Sequence, residues 1–174
     1  MSIIQSLLQE LEQEAQTTKR VLERVPTDRL AWKPHDRSMS LGQLALHVAT
    51  SPGVVAEMSG HSPVPVPEFH HPSATSAAEL VPALERSVAK AKEILRGMDD
   101  AALGKTWRVV DGDKEVMAMP VGAVLRSIML NHWYHHRGQL SVYLRQLGVP
   151  VPSIYGPSAD ENPFAVQRSA AVSA

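Results

Sequence analysis

Residues Val121–Gly148, VGAVLRSIMLNHWYHHRGQLSVYLRQLG, decide the fold of this chain. Pro120 suits the first turn of a helix, where its missing N–H goes unused. Gly148, with Pro150 and Pro152 beyond it, ends the pattern, so the stretch reads as one long helix. Its centre, NHWYHHRGQL from Asn131 to Leu140, places three histidines within five positions.

Successive helical residues turn by about 100 degrees, which leaves His132 and His136 about 40 degrees apart on one face. Leu125, Met129, Leu140, Tyr143 and Leu147 fall within roughly 20 to 80 degrees of His132, which puts His136 inside the apolar stripe and His135 at its margin. Arg137, one residue on, points away from the pair and reads as a helix-surface residue.

Outward from this helix the chain repeats the same logic. Ile4, Leu8, Leu11, Ala15, Thr18, Leu22 and Val25 follow a three-four spacing that gives a first helix over 2–25, ended by Pro26. PTDRLAWKPHDRSM, 26–39, reads as a connection folding Leu30 and Trp32 back onto the core. Ser40 with Gln43 three residues later forms a capping box that opens a second helix through Leu41, Leu44, Val48 and Val55. Pro52 predicts a kink or break near Val48. A proline-rich loop, GHSPVPVPEFHHPSAT, precedes a third helix carrying Ala77, Leu80, Leu84, Val88, Ala91, Leu95 and Met98. TWRVVDGDKEVMAMP, 106–120, then reads as a hairpin or an irregular pair of strands, too small to define the fold. The expectation is an all-α fold, a four-helix bundle with a short hairpin segment before the last helix, forming a single domain over 1–166 with a disordered tail over 167–174.

Composition narrows the function. With 17 basic and 18 acidic residues the chain lacks the charge for broad binding to nucleic acid or anionic membrane. No apolar run is long enough to span a bilayer, and MSIIQSLLQELEQEA turns acidic where a secretion signal needs basic residues, so a cytoplasmic protein is expected. The absence of cysteine means that the chain supplies neither a thiol nucleophile nor a thiolate ligand, and any metal must be held by nitrogen and oxygen.

Two imidazoles one turn apart are how a helix presents paired nitrogens to a divalent ion. A third is offered by His47 in LGQLALHVAT, on the flank of the second helix's apolar stripe and close to the expected kink. Spacing alone leaves two readings open, a metal site and a set of hydrogen-bonded core histidines, because a chain with eight histidines yields such a pair by chance often enough. His35, His61, His70 and His71 lie in proline-rich connections and read as solvated, with His70 and His71 as remote candidates for extra ligands.

LERVPTDRLAWKPHDRSMSLGQLALHVA, then NHWYHHRGQL running into SVYLRQLGVPVP and SIYGPSADE, resembles the DinB superfamily, also called DinB/YfiT-like, over about Glu14 to Asn162. The resemblance implies an up-down-down-up bundle whose long connection between helices two and three runs the bundle's length. It implies a divalent-metal site that maps onto His47, His132 and His136, with zinc, nickel or iron as the ion, and it implies a homodimer. Some relatives are similar to S-transferases and isomerases that use a low-molecular-weight thiol, so the implied partner is a small-molecule substrate with such a thiol as cosubstrate.

Three neutral histidines leave coordination positions open for water or substrate, whereas structural zinc is closed by four protein ligands. Gln139, Tyr143 and Tyr155 are candidates for orienting the ligands or lining a cavity, with packing as the alternative for each. Asp160 and Glu161 offer carboxylates for general-base work, but an acidic helix start after Ser158 explains them equally. No residue is assigned as catalytic. Two classes follow: a metal-dependent transferase or hydrolase, and a metal-binding, stress-associated dimer without turnover. Direct DNA binding is disfavoured for want of a basic patch with interleaved aromatics.

Overall fold

The computed structural model describes residues 2–165. The disordered tail expected over 167–174 lies outside the described residues, as do the first and last residues of the expected domain. Three long helices come first: α1 (Ile3–Leu22), α2 (Leu41–Ser59) and α3 (Leu80–Arg96). Ser2 with Gln5 and Ser40 with Gln43 form complete capping boxes that start α1 and α2. The fourth rod is continuous in three pieces: one turn, α4 (Val121–Ala123), a π-helical stretch (Val124–Asn131), and α5 (His132–Gln146).

The all-α expectation, with its up-down-down-up four-helix bundle, is corrected by a three-stranded mixed sheet of order β1-β2-β3. β2 (Thr106–Asp111) and β3 (Lys114–Pro120) form the antiparallel hairpin around DGDK, where Gly112 takes a φ of +57° that suits glycine at the tight turn. The proline-rich connection supplies the third strand, β1 (Val64–Pro65), paired parallel to Val109 and Val110. The hairpin is more than a surface flap, because Trp107 and Val109 alternate inward and Trp107 Nε1 donates 3.1 Å to the Met58 carbonyl near the end of α2. Composition and spacing made this segment look too short to matter; its two inward side chains join the core that the helices build.

Pro52 does not break α2. The proline has no N–H to give to the Val48 carbonyl four residues back, and the buried Trp133 indole fills that place, donating 2.8 Å to Val48 O. On the other side of the interruption, Ser87 of α3 accepts from Gly53 N at 2.8 Å and donates to Thr50 O at 2.9 Å. The two helices approach so closely there that a Cβ on Gly53 would lie 2.8 Å from Ser87 O.

The π-helical stretch alters which side of α5 is buried. Its i→i+5 bonding shifts the phase between the residues before and after it, so angles carried at 100 degrees per residue from Leu125 and Met129 misplace α5. The buried stripe of α5 is Trp133, Arg137, Leu140 and Leu144, while His132 and His136 flank it, half-buried. Arg137 is thereby corrected from surface to core: its side chain is 1% exposed and pairs with Glu14 of α1 at 2.6 Å. It also donates to Thr18 Oγ1 and the Glu14 carbonyl, and to the Tyr155 hydroxyl at 2.6 Å. The Tyr134 and Tyr155 rings lie 5.3 and 5.1 Å from its guanidinium carbon.

Replacing Trp133 by Phe keeps most of the ring volume and removes the N–H, leaving the Val48 carbonyl without a partner in the core. The expected cost is about 1–3 kcal/mol of folding stability, read by denaturant unfolding. Gly138→Ala, at an exposed helical position with open space around it, is expected to be neutral or stabilising and serves as the control.

Candidate metal centre

His47 comes from α2 and His132 and His136 from α5, all three half-buried. The Trp133–Val48 bond lies one residue from His132 on one helix and one residue from His47 on the other, so it sets the register in which the imidazoles meet. Ring centroids are 5.2 Å apart for His47 and His132, 4.6 Å for His47 and His136, and 4.4 Å for His132 and His136. One ring nitrogen from each lies within 4.8 Å of the other two, making a three-histidine group fit for a metal ion.

The electrostatics favour neutral rings. Burial pushes His47 down to about 4, helped by repulsion from His136, His132 and His71. Burial likewise lowers His136 to about 4, with repulsion from His132 adding to it. His132 is lowered by burial and then by His135. At neutral pH all three therefore carry lone pairs.

Gln139 orients the His136 ring. Its Oε1 accepts from His136 Nδ1 at 2.7 Å, which assigns the proton to Nδ1 and leaves Nε2 as the lone-pair atom, 3.0 Å from His132 Nε2. Two nitrogens bound to one ion at about 2.0–2.1 Å stand roughly 3 Å apart, so this spacing suits shared ligation. His47 Nε2 and His132 Nδ1 are buried without a hydrogen-bond partner among the described residues. An unpartnered buried nitrogen beside two converging imidazoles is the condition that a divalent ion relieves, so the donor set fits the group.

The other candidates lie elsewhere or act indirectly. Tyr143 donates 3.3 Å to Met39 O and packs edge-on against Trp32, so it serves packing. Tyr155 serves the Arg137 and Glu14 cluster on the α1 side. Asp160 is engaged by Arg145 and the Val151 N–H, and Glu161 by Arg20 at 2.5 Å; these contacts tie the chain after α5 back to α5 and α1. Ser158 Oγ accepts from both Asp160 N and Glu161 N and so caps a short turn. His70 stands 3.4 Å from Glu68, both exposed, while His71 lies edge-on to His47 at 5.9 Å. Sequence reasoning missed the Glu14–Arg137 pair, although the five-residue apolar steps from Val124 to Met129 and from Leu125 to Leu130 carry the π-helical signal that would have found it.

Depressed histidine pKa values make stability depend on pH. The unfolded chain takes up protons near 6.5 while His47 and His136 resist them until about 4, so their contribution is complete above about 6.5 and is lost as pH falls toward 4. Denaturant unfolding of metal-free protein between pH 7.5 and 4.5 is expected to show this decline, and a His47→Gln, His136→Gln double variant a flatter one. Parallel declines in both proteins would contradict it.

The chain is similar to known proteins in sequence and in fold. YrdA, an uncharacterized protein of Bacillus subtilis (strain 168), is 27% identical over 155 residues, covering 88% of this chain and 89% of that protein. A crystal structure of a DinB-like protein from Bacillus cereus ATCC 10987 superposes with a TM-score of 0.69 at 24% identity, over 88% of this chain and 98% of the other. A DinB-family structure from Exiguobacterium sibiricum 255-15 gives a TM-score of 0.60 at 20% identity, covering 92% of this chain and 98% of that one. Both structures share its fold. The family model that describes the DinB family matches residues 1–165, and the chain therefore belongs to the DinB family.

Proposed function

We propose that this protein binds one divalent cation through His47, His132 and His136 and uses it to act on a small molecule, with thiol-dependent S-transfer or hydrolysis as the reaction class. The observation that carries the reading is the convergence of three neutral imidazoles from two helices, two of them with a buried nitrogen that has no partner among the described residues. Zinc, nickel and iron all suit an imidazole set. A bound ion of this kind supplies Lewis acidity and lowers the pKa of a water or thiol that it binds toward neutrality.

The chain's own part is to hold the ligands. Gln139 keeps the His136 proton on Nδ1, and burial keeps the rings unprotonated. With no cysteine in the sequence, a sulfur nucleophile comes from a thiol cosubstrate.

A second reading, metal binding without turnover, is favoured by one observation. A hollow of about 510 Å³ lined by Ser59, Gly60, Gly97, Met98, Lys105 and Val121 lies at the far end of α2 from His47, and a smaller groove lies between α1 and α3. Neither hollow touches the histidines, so neither is a substrate cavity of this centre.

Elemental analysis of untagged protein is expected to find about one zinc, nickel or iron per chain, lost in a His132→Ala, His136→Ala double variant. A loaded wild type then justifies screening thiol-dependent reactions. Protein that holds no metal even after reconstitution would overturn the proposal and leave the histidines as a polar part of the core.

A further inference from the structure

The long connection from α2 to α3 brings a fourth imidazole to the triad. The His71 carbonyl accepts 2.9 Å from Gln43 Nε2, and Gln43 stands one helical turn before His47, so the loop backbone is pinned beside the site. The His71 ring meets His47 at a centroid distance of 5.9 Å and an interplanar angle of 83°. Within the triad the angles are 89°, 88° and 83°. Rings arranged steeply to one another can aim their in-plane lone pairs at a common point, which parallel stacked rings cannot do.

The neighbouring histidines do not share this placement. His70 turns to Glu68 on the exposed side of the loop. His135 has its ring 5.1 Å from His136, but it is the adjacent residue on the same helix and points about 100 degrees away from it. His71 alone approaches from a separate segment, where its residue is exposed.

We infer that His71 is a fourth, displaceable ligand of the divalent cation held by His47, His132 and His136. The inference rests on the metal-binding reading and deepens it. His71 lies outside the group whose nitrogens are within 4.8 Å of one another, so ligation needs a short inward swing of its side chain. With His71 bound, four nitrogens complete a tetrahedral set and close the site. With His71 swung out, the fourth position opens to a small molecule, and the imidazole leaves as the neutral group that arrived. The segment that lies against the triad is then also the one that opens it.

Cobalt(II) and zinc(II) are the probes. Visible absorption of the cobalt protein reports coordination number, four-coordinate cobalt absorbing far more intensely than five- or six-coordinate cobalt, and titration calorimetry gives the zinc affinity. His71→Ala is expected to dim the cobalt bands and weaken zinc by more than about tenfold, the scale on which loss of even an outer partner acts. His70→Ala, on the same loop, is expected to match wild type in both. His71 is exposed, so its removal leaves the core intact, and circular dichroism checks that the variant is folded. An unchanged cobalt spectrum in His71→Ala overturns the inference whatever the affinity does. If His132→Ala abolishes binding while His71→Ala matches wild type, the three-histidine site stands and only the fourth ligand falls. Wild type that takes up neither metal overturns both readings.

Discussion

The hydrogen bond from the Trp133 indole to the Val48 carbonyl is the constraint on which the rest of the structure depends. Proline at 52 removes the donor that would occupy that carbonyl, and a free carbonyl in the core is costly unless another donor arrives. The indole arrives from α5, so a gap in one helix becomes a fixed point between two. Because the neighbours of that point in sequence are His47 and His132, the same bond that repairs α2 also brings its histidine to the pair on α5. Ser87 treats the Gly53 side of the interruption in the same way and ties α2 to α3.

α5 is held on its opposite flank by a different kind of contact. Arg137 is a buried charge, and such a charge is tolerable only when paired and fully hydrogen-bonded; Glu14, Thr18 and Tyr155 meet that need. Tyr134 donates to Glu10 at 2.9 Å, adding a second link to α1. The histidine-bearing helix is thus fixed against α2 by an indole and against α1 by a guanidinium. A site of three rings needs such rigidity, since ligand geometry within a fraction of an ångström decides whether an ion is held. The burial that results also keeps His47 and His136 unprotonated, so packing and ligand chemistry have one cause.

Much of this was legible in the sequence, and the failures have physical reasons. The i,i+4 spacing of His132 and His136, with His47 from its place on the flank of the second helix's stripe and again from the resemblance, led to the residues that the fold brings together, because both helices present them near the flank of an apolar stripe. The capping box at Ser40 was legible because its chemistry is local. Arg137 was misread because a constant 100 degrees per residue was carried across a stretch bonded i→i+5. The sheet was undervalued because β1 is two residues long and lies within a proline-rich loop, where no periodicity shows; its pairing to Val109 and Val110 is a long-range fact. The rescue of Val48 by Trp133 was likewise beyond local pattern, although Pro52 announced that some partner would be needed.

The most direct test of the central claim is diffraction from metal-loaded crystals, collected on either side of the absorption edge of the ion found in the protein. Ligation by the three histidines predicts one strong anomalous peak per chain, about 2.0–2.1 Å from a ring nitrogen of each of His47, His132 and His136. A peak elsewhere, or loaded crystals with no peak among these three rings, would contradict it.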